Sequence, residues 1–109
     1  MAKHEFGIMQ NAPGPRKRYD KYEPQKYNCI AVDDCDIENL DTHLIQVDFY
    51  WHTLDMPAKG MAYTGITLIP PTSMQAFIAI IKDINGLNEL KDLLETALSE
   101  NKWVIHFGL

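Results

Sequence analysis

Cysteine is scarce in this chain, and the little there is does not form a site. Cys29 and Cys35 are the two in 109 residues. Their spacing fits neither a CxxC redox pair nor a zinc half-site, so free thiols are expected, with Cys29 a buried small hydrophobe inside an apolar run. Long hydrophobic stretches are also missing. No run approaches the roughly 20 residues of a membrane span, and the start, MAKHEFGIMQ, lacks the basic stretch and apolar core of a secretory signal. A cytoplasmic location is the expectation, with no membrane partner.

The motifs that identify common chemistries are missing as well. There is no HxH, HExxH or GxSxG, and the glycines form neither GxGxxG nor GxxxxGK[ST]. Asp33, Asp34, Asp36 and Glu38 gather acid in one place but lack the spacing and glycine of an EF-hand, and helix capping accounts for Asp33 or Asp34 without a metal. No cofactor and no metal is therefore expected. A net charge of −5 and a pI near 5.2 argue against nucleic acid as a partner.

What is present is an ordinary globular composition, 46% hydrophobic and 23% charged, which excludes a disordered chain. At this length one core is the expectation, a single domain over 1–109. Weak alternation around Phe6 and Ile8 marks a strand over His4 to Met9, and the apolar Tyr27 to Val32 marks a clearer one. Ile37, Leu40, Leu44 and Val47 follow a helical spacing and predict a helix over about 34–45. Strands are predicted over Val47 to Leu54 and Met61 to Ile69, with Asp55 to Gly60 as the loop between them. Thr72 and Gln75 fit a capping box ahead of a helix over about 72–84, whose stripe is Met74, Phe77, Ile78, Ile81 and Ile84. Asn85-Gly86 stops it. A further helix starts near Asn88, and a last strand covers Trp103 to Phe107.

From Tyr27 the order is β-α-β-β-α(α)-β. That order matches an α+β fold of the ferredoxin-like split β-α-β sandwich type, with an additional N-terminal strand and a long loop. It carries no function by itself.

Asn11 to Lys26 differs from the rest in composition. Pro13, Gly14, Pro15 and Pro24 read as loop, and five basic against two acidic side chains give the segment +3 in a chain of −5, so the remainder carries −8. A loop this long in a small domain tends to be functional. Arg16, Arg18, Tyr19 and Tyr22 are its candidate ligand contacts, guanidinium groups for carboxylate or phosphate and phenols for flat amphipathic surface.

Catalytic candidates are few. His4, His43, His52 and His106 are dispersed; His52 and His106 lie on separate predicted strands, with Asp48 or Asp33 as an acid to orient one of them. Aromatics form the other oddity: Val47, Phe49 and Trp51 share one face of their strand and Trp103, Ile105 and Phe107 one face of theirs. If Ile30, Val32, Ile66, Leu68 and Val104 face the helices, an aromatic second face needs covering by the N-terminal strand and loop, by another copy of the chain, or by bases, which the missing RNP signature disfavours. The leading expectation is an interaction module that self-associates, a homodimer, with an anionic small molecule or an acidic protein as its other partners. The alternative is a small enzyme applying histidine and carboxylate acid-base chemistry to an anionic small molecule.

Overall fold

The computed structural model describes residues 2–109 and contains six strands and three α-helices: β1 (Lys3–Ile8), β2 (Ile30–Asp33), α1 (Asp34–Leu44), β3 (Asp48–Trp51), β4 (Pro57–Lys59), β5 (Ile66–Ile69), α2 (Pro71–Ile81), α3 (Asn88–Ser99) and β6 (Val104–Phe107). A 3-10 turn, Pro24–Tyr27, precedes β2. All strands join one antiparallel sheet in the order β2-β1-β6-β5-β3-β4. The radius of gyration, 12.4 Å, is close to the roughly 13 Å expected when 109 residues pack into one body. Among the described residues no helix is long and apolar enough to cross a membrane.

Strand order departs from the split β-α-β arrangement. In that pattern each helix connects strands separated by one intervening strand. Here a helical pair, α2 and α3, lies between β5 and β6, which are direct antiparallel neighbours inside the sheet. The N-terminal strand is no appendage either: β1 pairs with β2 on one side and β6 on the other. What holds is the coarser reading, a compact α+β domain.

The helices cover one face of the sheet. Ile37, Leu40 and Leu44 of α1, Met74, Phe77 and Ile81 of α2, and Leu90, Leu94 and Ala97 of α3 are buried against Phe6, Val32, Phe49, Ile69 and Val104. Each triplet falls on one helical stripe, as the sequence spacing requires. Capping differs from the sequence reading. Thr72 makes no cap bond; α2 starts one residue earlier, with Pro71 in its first turn, where a fixed φ and a missing N–H suit a helix start. Ser73 instead donates to the Asp48 carbonyl, tying α2 to β3. Asp33 also makes no cap bond, its carboxylate lying 3.3 Å from Lys3 Nζ.

Met9, Ile66, Leu68, Ile105 and Phe107 pack on the opposite face with Tyr19, Tyr27, Tyr50 and Trp103. Trp103, Ile105 and Phe107 share a face, as their alternation predicts. Ile66 and Leu68 do not face the helices as expected. All four residues of β5 are buried and its one polar side chain, Thr67, faces the helices, so the usual rule of polar outward and apolar inward inverts the assignment. The 11–27 segment covers this second face. Tyr19 N–H donates to the His52 carbonyl at 2.7 Å. Tyr27 and Cys29 cross β1 at Gly7, where an added Cβ would fall 2.7 Å from Tyr27 Cβ and 2.8 Å from Cys29 Sγ.

Candidate functional site

The loop and the sheet enclose a concave surface of about 460 Å³ whose rim includes Lys17, Arg18, Lys21 and Lys26 and whose acids are Asp20 and Glu23. Tyr19, Tyr27 and Ile105 supply its apolar part. A second hollow of about 320 Å³, bounded by Met9, Gln10 and Gly14, shares Lys17, Tyr19, Lys26 and Tyr27 with the first. The two lysines are held over rings, Lys17 Nζ 5.0 Å from the centre of Tyr19 and Lys26 Nζ 5.8 Å from that of Tyr27, within cation–π range. Arg18 Nε donates to Asp20 Oδ2 at 2.7 Å. That bond balances one of the two acids and leaves an excess of lysine charge. Burial, reinforced by Tyr19 and Glu23, raises the Tyr27 phenol above its ordinary value and keeps it a donor.

Of the four ligand contacts read from sequence, Arg18 and Tyr19 line this concavity. Tyr22, 65% exposed, lies at a neighbouring cleft, where its ring packs edge-on against Phe107 and its hydroxyl donates to Glu5. That bond raises its phenol pKa. Arg16 is exposed and lines neither concavity.

The neighbouring cleft, about 400 Å³, holds His52 and Asp20. His52 Nδ1 donates to the Tyr19 carbonyl at 2.9 Å and lies 3.0 Å from Asp20 Oδ1. Its backbone is left-handed, φ 64°, at the end of β3, a conformation uncommon outside glycine and a frequent mark of functional positions. Gly65 makes room for the ring, since a Cβ there would stand 2.7 Å from Nε2. The acid paired with His52 is thus Asp20. Asp48 points into solvent and pairs with Lys59 across the β3-β4 ladder, and Asp33 pairs with Lys3.

His106 lies on the other side of the sheet. It is fully buried and belongs to a chain of polar groups that no spacing in the sequence announced. Adjacent strands β1, β6 and β5 put His4, His106 and Thr67 on the helix-covered face, Thr67 directly opposite His106. His106 Nε2 is 2.8 Å from His4 Nδ1, and His4 Nε2 is 2.9 Å from Asp34 Oδ1, which also accepts from the Tyr63 hydroxyl. At the other end His106 Nδ1 lies 3.1 Å from Thr67 Oγ1, which accepts the Ala62 N–H at 2.8 Å. The ends set the direction, because Ala62 N–H can only donate and the Asp34 carboxylate only accept. With both imidazoles neutral, Thr67 donates to His106, His106 to His4 and His4 to Asp34, and every member is satisfied. Burial, then the proximity of His4, pushes the His106 pKa down to about 3. The Tyr63 and His4 hydrogen bonds hold the Asp34 carboxyl below its ordinary value.

The middle of the network is closed, with His4, His106 and Thr67 buried, while Asp34 at its end is partly exposed. His4 and His106 stack with ring centres 5.1 Å apart, and Phe6 covers His106 at 4.8 Å. The network lies within the helix-covered core and does not meet His52. Cys29, half-buried on the loop side, has its thiol pushed up to about 12, chiefly by burial, which makes it a poor nucleophile. His4, Thr67 and Tyr63 escaped sequence reasoning because they meet only through strand register. Asp20 could have been noticed as the acid inside the basic loop. Comparison with family models, with curated proteins and with solved structures finds no match to this chain.

Proposed function

We propose that this protein binds a small organic anion, a carboxylate or a phosphate ester, in the concavity between the 14–27 loop and the sheet. The observation that carries the reading is the pair of lysines, Lys17 and Lys26, each seated over a tyrosine ring on one concave surface with Arg18 and Lys21 at its rim. Holding ammonium groups over rings pre-pays part of the side-chain ordering that ligand capture requires. The aromatic walls favour a ligand with a flat or apolar part beside its charge.

Titration of isotope-labelled protein with inorganic phosphate, benzoate and phenyl phosphate tests it. Shifts should cluster at Lys17, Tyr19, Lys26 and Tyr27, with phenyl phosphate strongest, and K17A/K26A should weaken binding at least tenfold, about 1.4 kcal/mol. Shifts scattered over the surface, or a double variant that binds as well as the parent, would remove the reading.

Self-association through the aromatic face loses its motive, because the loop already covers that face. A homodimer keeps two structural openings, the unpaired outer edges of β2 (Ile30–Asp33) and of the shorter β4 (Pro57–Lys59) at the ends of the sheet. Light scattering giving 12.5 kDa at tens of micromolar would exclude it.

A further inference from the structure

The His52 cleft is distinct in its chemistry from the lysine-rich concavity, and only Asp20 helps to line both. We infer that His52 and Asp20 form a general acid-base dyad that hydrolyses small esters with an apolar acyl group. Four features of one place support this. A carboxylate oxygen sits 3.0 Å from Nδ1 while the Tyr19 carbonyl takes the Nδ1 proton at 2.9 Å. This fixes the tautomer, so the lone pair of the neutral ring resides on Nε2. Among the described residues no buried side-chain nitrogen or oxygen lacks a partner, so Nε2, to which no protein group bonds, retains access to solvent. Gly65 gives that nitrogen its clearance, and the left-handed backbone of His52 holds the ring where an ordinary strand residue would not put it. Arg18 braces the second Asp20 oxygen at 2.7 Å.

The walls indicate the substrate. Ile66, Phe107 and the more exposed Leu109 are the apolar residues lining the same cleft of about 400 Å³ as the imidazole. An acyl chain fits against them, with its carbonyl carbon toward Nε2.

In the reaction, Nε2 takes a proton from a water molecule as the water oxygen bonds to the acyl carbon, and the carbonyl electron pair moves onto its oxygen. Return of that pair breaks the bond to the leaving alkoxide, which takes the proton from Nε2–H. The products are a carboxylic acid and an alcohol, and the neutral imidazole is restored. Asp20 stabilises the intermediate imidazolium.

The test is hydrolysis of 4-nitrophenyl butyrate by the full chain across pH 5 to 9. The expected result is a rate at least tenfold above that of free imidazole at equal concentration, rising with a single ionisation, with a solvent deuterium effect of about two to three from the proton in flight. D20N should lower the rate about tenfold or more and G65A should abolish it, whereas H43Q, on the exposed side of α1, should leave it unchanged. H52Q should reduce the rate to background. If H52Q fails to fold, the wild-type isotope effect together with D20N decides. A wild-type rate no better than imidazole, no isotope effect, or equal loss in H43Q would overturn the assignment. Because K17A/K26A leaves the dyad intact, loss of anion binding and loss of hydrolysis report on different sites.

Discussion

The two faces of the sheet are built from the same strands yet solve burial differently. On one side three amphipathic helices close over Phe6, Phe49 and the histidine pair, with every buried side-chain polar atom among the described residues partnered. On the other, an irregular segment spans Ile105, Phe107 and Leu68 with a few tyrosines, and leaves concavities at its margins. Regular secondary structure saturates its own backbone and so can seal a surface completely. A loop has to spend part of its polar capacity on solvent or on ligand. That difference puts the rigid chemistry under the helices and the accessible chemistry under the loop.

The strongest way to break the contrast is to remove what both faces share. Deleting residues 103–109 takes out β6, which β1 and β5 both need as a partner, and circular dichroism should show no cooperative unfolding transition. Next comes F77A on the helix side, expected to cost about 3–5 kcal/mol in urea unfolding. Y27A on the loop side should cost less, since its ring is only partly buried. The two values coming out equal would deny the distinction.

Acid should attack the helix side selectively. His106 is depressed from 6.5 to about 3 in the folded state, so the unfolded chain binds its proton first as pH falls. Its contribution is complete above 6.5 and is lost progressively between there and about 3, by at most about 1.4 kcal/mol per pH unit. Asp34, also depressed, adds a loss in the same direction below its ordinary 3.8. Chemical denaturation from pH 8 to 4 should therefore show falling stability that H106L flattens. The variant itself should cost about 1–3 kcal/mol at pH 7 by stranding His4 Nδ1 and the Thr67 hydroxyl. The smallest effect belongs to the loop: changing Arg16, Lys17 and Arg18 together to serine should move stability by no more than about 0.5 kcal/mol, visible as a nearly unchanged melting temperature.

The legible part of this protein was its helices. Ile37, Leu40 and Leu44, or Met74, Phe77 and Ile81, announce their buried stripe through local spacing alone, and α1 and α3 start where acid and asparagine suggest. The sheet was legible only as strands. Their order depends on where the chain returns after α2 and α3, and a four-residue strand such as Ile66–Ile69, buried on both faces with its one hydroxyl, Thr67, turned toward the helices, misleads about which way it faces. The same limit governed the sites. The basic loop stood out by composition and was found lying along the sheet, with Arg18 and Tyr19 in the concavity and Arg16 outside it. Pairing His52 with Asp20 or His4 with His106 needs distances that sequence separation hides, 32 residues apart in one case and 102 in the other.

Placing β1 between β2 and β6 has a bearing on how the chain comes to be folded as it is made. A strand at residues 3–8 waits for residues 104–107 before its second ladder can form, so a growing chain has a sheet interrupted at its middle until residues 104–107 have left the ribosome. Until then the open side of β1 and the apolar side of β5 lack their partner, the arrangement most prone to pairing with a neighbouring chain. Pairing between strands this far apart in sequence predicts assembly slower than that of a helical bundle.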